Sequence, residues 1–286
     1  MTFPSRLTTT LLTVVLVSIG VSLAQEYRDR DSNRGRRRGD RNERASSRAG
    51  IPDWGRNQDL PDDVFTFVRV QYQSHDDWGW RGGKWRTDYP DSDLNFSFRL
   101  QQLTSLDVDP EGKILTLTDP ELHNYPIIYL IEPGEMVLEE AERECLRAYL
   151  LNGGFLLVDD FWGDLEWKNF YLEMKKVFPE KEPEELKLDH EIFHCVFDLT
   201  EKPQLPSIQV AQRYGITYEP DKPGSEEVHY RALYDEEGRM MAIICHNTDL
   251  GDGWEREGED PWYFKNFSEP KAYPMGINII FYAMTH

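Results

Sequence analysis

The sequence predicts an α/β fold: a mostly parallel sheet with helices on both faces and an added β-hairpin. Three observations predict it. Asn152-Gly153-Gly154-Phe155-Leu156-Leu157-Val158-Asp159-Asp160 reads as helix stop, buried strand and acidic elbow. The run from Phe155 to Val158 is apolar at every position, as an interior strand covered on both faces must be. Strand-like and helical patterns then alternate along the chain, the signature of parallel strands joined by crossovers.

Residues 63–72 alternate and are rich in Phe, Val and Tyr, so they form the first strand. A loop follows over 73–90, with Trp78, Trp80 and Trp85 among glycines. Asp93 caps a helix over 94–104. Residues 125–132 give a second buried strand, opened by Pro126 and closed by Pro133-Gly134. The next helix spans 137–151. Glu139, Glu140 and Glu142 lie near its positive end, Arg147 near its negative end. Leu138, Ala141, Cys145 and Tyr149 share its core face. Gly153 or Gly154 ends it in the left-handed conformation.

After strand 155–158, Asp164 caps a helix to 178, with Trp167, Tyr171, Met174 and Phe178 recurring at spacings of four, three and four. Residues 179–227 are proline-rich, acidic and irregular. Residues 228–234 and 239–245 flank Asp235-Glu236-Glu237-Gly238 as a hairpin. A closing helix covers 274–284.

The flanks have a different composition. Residues 1–24 have the form of an export signal: Arg6, then an apolar run over 11–23, then Ser22-Leu23-Ala24 for cleavage. A cleaved signal is expected rather than an N-terminal anchor, because about 20 apolar residues are needed to span a bilayer. Residues 25–60 form an arginine-rich linker. Ten arginines stand against seven acids there, and apolar residues are too few to offset chain entropy on folding. The folded domain is residues 61–286, and it carries the negative charge of a chain whose net charge is −20. That charge excludes nucleic acid as a partner. It leaves room for an envelope polymer, a membrane surface touched by the linker, or a protein partner. Cys145, Cys195 and Cys245 are scattered in apolar settings, with no C-x-x-C pair; buried thiols are expected, and their disulfide state stays open.

Three groups of residues have the make-up of a site. His190-Glu191-Ile192-Phe193-His194 matches H-E-x-x-H, the zinc-peptidase pattern, which needs both histidines on one helical face. The irregular apolar context argues for histidines that hydrogen-bond within the fold. Asp159 and Asp160 stand at the carboxyl end of a strand, where open α/β sheets hold ligands. Asn247, Asp249 and Asp252 lie in a glycine-rich loop after another buried strand, with spacings that suit a hard cation or a self-bonded turn. If the last two groups meet, Asp160, Asp249 and Asp252 are the candidate ligands of a divalent cation, flanked by Trp162 and Trp254 as stacking rings. His246 follows Cys245, but strand neighbours point apart and make no nucleophile–base pair.

Several segments carry a family resemblance. They are Thr87-Asp88-Tyr89-Pro90, the run from Gly153 to Gly163, Asp189-His190 with Ile192-Phe193-His194, the run from His246 to Trp254, and the ending from Asn278 to His286. Together they resemble the DUF4159 family of exported or membrane-linked bacterial proteins. The resemblance implies a flavodoxin-like sheet of the class I glutamine amidotransferase kind, and no assigned function. It also implies a departure. Amidotransferases place a cysteine nucleophile on the elbow after the glycine-led strand and a His-x-Glu pair later. Here the elbow is Asp159-Asp160-Phe161, and the pair is missing, so glutamine hydrolysis is not expected. The family pattern also lacks glutamate at the second position of 190–194, which weighs against the zinc reading. Two functions remain: a binding or assembly protein of the cell envelope, or a metal-assisted hydrolase acting on a glycan or ester through Asp159, Asp160 and the 247–252 loop.

Overall fold

A computed structural model describes residues 51, 54, 64–75 and 83–286. The expected export signal (1–24) lies outside the described residues, as does the expected linker (25–60) apart from Ile51 and Trp54. Trp54 is tied to the fold: its Nε1 donates to the Val108 carbonyl at 2.8 Å and its ring lies 5.5 Å from Phe98.

The main sheet has seven strands, in the order β3-β1-β4-β6-β9-β8-β7. These are β1 (Val68–Gln71), β3 (Lys113–Thr116), β4 (Ile127–Ile131), β6 (Phe155–Asp159), β7 (Glu184–Glu185), β8 (His229–Tyr234) and β9 (Met240–His246). The first five in that order are mutually parallel. Taken in chain sequence they run 2-1-3-4-5, the flavodoxin-like order. The hairpin β8/β9 and the short β7 add an antiparallel edge. A separate antiparallel pair, β2 (Gln73–Ser74) with β5 (Met136–Val137), sits beside it.

Side-chain alternation sends successive strand residues to opposite faces. Ile127, Tyr129, Ile131, Phe155 and Leu157 enter one core, with α1 (Asp91–Leu103), α5 (Leu250–Glu255) and α6 (Tyr273–Thr285). Ile128, Leu130, Leu156 and Val158 enter the other, with α2 (Glu140–Leu151) and α3 (Gly163–Val177). Helices therefore cover both faces, and β6 lies between β4 and β9 as an interior strand. Among the described residues no helix is long and apolar enough to cross a membrane.

Several boundaries differ from the expectation, for physical reasons. Asp93 does not cap α1. It lies inside the first turn and is buried against Arg69. Asp164 does not cap α3 either; the Trp162 amide is held by Glu166 at 2.7 Å instead. The core face of α2 is Leu146, Tyr149 and Leu150, rotated from the expected stripe, with Cys145 half-buried. A capping box between Glu139 and Glu142 starts that helix at 140. On α3, Phe170, Met174 and Val177 are buried. Strand β3 is unanticipated, as are α4 (Ile208–Tyr214) within the irregular region and α5 in the 247–254 loop. α6 is preceded by a π-helical stretch, Phe264–Ala272, with Pro270 inside it.

Candidate functional site

β4, β6 and β9 are adjacent and parallel, so their carboxyl ends lie side by side. β6 ends at Asp159, which is wholly buried. Its Oδ2 accepts from Tyr129 Oη at 3.2 Å and from the Gly251 amide at 3.0 Å. Its Oδ1 is buried and has no hydrogen-bond partner. Burial pushes the Asp159 carboxyl up to about 7, against those hydrogen bonds, which favour the anion. Asp160 follows in the left-handed region, at φ 57, where a non-glycine residue carries strain. Its Oδ1 accepts from Trp162 Nε1 at 3.0 Å.

The loop after β9 is built around two pins. Asn247, also left-handed at φ 62, spends its side-chain amide on structure. Oδ1 accepts from the Gly163 amide at 2.7 Å, and Nδ2 donates to the Gly224 and Glu227 carbonyls. Asp249 caps α5, with Oδ1 accepting from the Asp252 amide at 2.6 Å. Asp252 accepts from the Ile208 amide at 2.7 Å and from Arg256 Nε at 2.8 Å.

The third contributor is Asp88, on the loop before α1. Arg69, wholly buried on β1, sets that loop. Its five N–H donors reach Asp93 from Nε and Nη2, Ser92 Oγ from Nη2, and the Trp85 and Thr87 carbonyls from Nη1. Asp88, next in the chain, is left-handed at φ 61. Its Oδ2 is buried without a hydrogen-bond partner.

These elements bring together Asp88, Asp160 and Asp249, one oxygen from each lying within 4.8 Å of the others. Asp88, Asp252 and Glu255 make a second such group. Burial first, then the neighbouring carboxylates, hold Asp88, Asp160 and Asp249 well above the ordinary carboxylate range. Arg256 is the base of the cluster, and it stands on the second group. It pairs with Asp252, with Glu255 at 2.5 Å, and with Glu259 at 3.2 Å. The donor set is all oxygen, which suits a hard divalent cation and not a thiophilic one.

The other expected residues are placed elsewhere. Trp254 is wholly buried, 4.3 Å from the Phe96 ring, with its Nε1 on the Ala272 carbonyl, so it offers no face to a ligand. Trp162 is buried to its edge beside Asp160. His246 faces the α3 side: Nδ1 accepts from Arg231 Nη1 and Nε2 donates to the Gly163 carbonyl, both at 3.2 Å. His190 caps a short 3₁₀ turn, Glu191–Phe193, accepting from the Ile192 amide. His194 bonds Asp198 and the Leu188 carbonyl, both at 2.6 Å. The segment is thus no helix that would place both histidines on one face, and the pair is in neither acidic group. All three cysteines are free thiols, and only Cys245 is fully buried.

A cavity of about 380 Å³ is lined by Gly134, Glu135, Trp162, Gly163, Glu166 and Lys222 among others, and Trp162 ties it to Asp160 through its indole. The start of α3 does not offer it anion-binding amides. Those of Trp162, Gly163 and Asp164 already donate to Glu166, Asn247 and the Pro223 carbonyl.

Sequence reasoning offered Asp160, Asp249 and Asp252 as cation ligands; the structure brings Asp160 and Asp249 together with Asp88 and puts Asp252 in the second group. That reasoning missed Asp88, Glu255, Tyr129 and Arg256. A single aspartate in an aromatic, glycine-rich loop has no spacing signal; its one trace was membership of the segment Thr87-Asp88-Tyr89-Pro90.

No curated protein matches the chain. A family model described as a domain of unknown function matches residues 66–284, nearly all of the described fold, and the chain belongs to that family, DUF4159.

Proposed function

We propose that the protein is an exported binding module of the bacterial cell envelope, with its ligand at the carboxyl ends of β4, β6 and β9. One observation carries this reading. At the elbow where an amidotransferase-like fold would hold a nucleophile, the strained residue is the acid Asp160, joined by Asp88 and Asp249. The cavity favours neutral or basic ligands, because Glu135, Asp164, Glu166 and Asp221 line it against Lys222 and the nearby amides are already taken. Neutral glycans and amino sugars are the matching chemistry, with a protein partner as a further candidate for the same surface.

The test is a thermal-shift and saturation-transfer NMR comparison of neutral glycans, amino sugars and phosphorylated sugars against the full chain. Saturable binding of the first two, lost in Glu135→Gln with Asp164→Asn, supports the reading. Preference for the phosphorylated sugars overturns it.

A second reading, a metal-assisted hydrolase acting on a glycan or ester, is supported by the convergence of Asp88, Asp160 and Asp249. A bound cation could lower the pKa of a water there. Manganese-dependent turnover of nitrophenyl esters or glycosides, abolished by EDTA, is its expected outcome; no turnover in any divalent metal discards it.

A further inference from the structure

We infer that the acidic cluster at the carboxyl end of β6 is a selective site for one hard divalent cation of Ca²⁺ or Mn²⁺ type, held by Asp88, Asp160 and Asp249 and excluded from the neighbouring Asp88–Asp252–Glu255 group by Arg256. The inference stands whether the protein only binds its ligand or also turns it over.

The distinction between the two groups is geometric. Both share Asp88 and both gather three oxygens within 4.8 Å. In the second group Arg256 Nε bonds Asp252 at 2.8 Å and its Nη2 meets Glu255 at 2.5 Å. The remaining Asp252 oxygen is taken by the Ile208 amide. That half already holds a cationic side chain from within the chain. Among the described residues the first half has no base in ion-pair contact, and its side-chain oxygens accept from the Trp162 indole on Asp160 and the Asp252 amide on Asp249. Asp88 Oδ2 has no partner at all. Beneath it, the wholly buried Asp159 keeps a second unpartnered oxygen, and the Gly251 amide that holds Asp159 belongs to the same turn that Asp88 lies against.

Buried carboxylates without partners are costly unless a cation or proton joins them. Two oxygens on one ion lie at most two bond lengths apart, about 4.8 Å for Ca²⁺ and about 4.2 Å for Mg²⁺. Three oxygens gathered within 4.8 Å of one another meet that limit, so one ion can be shared by all three. Three all-oxygen ligands also disfavour Zn²⁺, which prefers nitrogen and sulfur.

The experiment uses the full chain, stripped with EDTA and dialysed at pH 8. Thermal unfolding and calorimetric titration are run with Ca²⁺, Mn²⁺, Mg²⁺ and Zn²⁺ chlorides. The expected result is one ion per chain, with Ca²⁺ or Mn²⁺ bound more tightly than Zn²⁺. The melting temperature should rise by about 5–10 °C at a hundredfold excess over Kd. Asp88→Asn and Asp160→Asn should each abolish the rise while the ion-free melting temperature holds or increases, since a like charge has been removed. That opposite pair of readouts separates a ligand from a merely structural residue. His194→Ala should keep the full response. Stabilisation by none of these ions, a response surviving in both Asn variants, or a stoichiometry of two would overturn the inference.

Discussion

Asp88 lies against Gly251, in space that a side chain at 251 would need. A Cβ on Gly251 would stand 2.7 Å from Asp88 Oδ2 and 3.0 Å from Tyr129 Oη. Glycine at 251 therefore sets how closely the α1 loop approaches the start of α5. Gly251→Ala should displace Asp88 and lower stability by about 1–3 kcal/mol, the cost of overpacking a filled site. Denaturant unfolding measures the loss. The cation response should weaken with it, whereas an unchanged melting curve and response would mean that the approach is not close.

Arg69 and Asp93 make the ion pair that fixes the same loop from below. Both are buried, and Arg69 has no water to fall back on. Arg69→Met leaves Asp93 as an uncompensated buried charge. A loss of about 3–5 kcal/mol is expected in urea unfolding. The double variant Arg69→Met with Asp93→Leu should recover a large part of it, since replacing both partners of a buried pair is often neutral.

His246 gives the fold a defined acid weakness. Burial first, with Arg231 and His229 adding to it, brings its imidazole down to about 3, against the Gly163 carbonyl and Glu185. The unfolded chain binds a proton near 6.5; the folded chain does not until far lower. Protons therefore favour the unfolded state between those values, so His246 makes stability fall as pH drops from about 6.5 towards 3, by up to roughly 5 kcal/mol. Above pH 7 it contributes no pH dependence. Stability curves from pH 7 to 4 should flatten in His246→Gln relative to the native chain. An unchanged slope would place the acid weakness elsewhere.

His190 and His194 serve the turn over 190–194. His190→Ala should cost about 1 kcal/mol through loss of the cap on the Ile192 amide. Zinc content, measured by elemental analysis before and after the substitution, should not change. Zinc lost in step with His190 would revive the peptidase pattern.

How much of this was readable from residues follows the kind of signal each carries. β6 was legible because four apolar positions after two glycines leave few alternatives. The hairpin β8/β9 was legible from its turn. α5 was not, because Gly251 and Gly253 read as loop. Their true constraint is tertiary: a Cβ at 251 meets Asp88 and one at 253 meets Ala272. Asp93 and Asp164 look like caps by type and position, yet a buried guanidinium claims the first, and the Glu166 side chain does the capping expected of the second. Trp254 looked like a ligand platform because exposure leaves no mark in a sequence. Asp88 reaches the site across 72 residues of chain from Asp160, and nothing local announces such a contact.

The most direct measurement is anomalous scattering from a crystal of the full chain grown with MnCl₂. The prediction is one manganese peak bounded by Asp88, Asp160 and Asp249, with Arg256 still on Asp252 and Glu255. A crystal in which that position stays without a peak at saturating manganese, or in which the metal sits on His190 and His194, would contradict it.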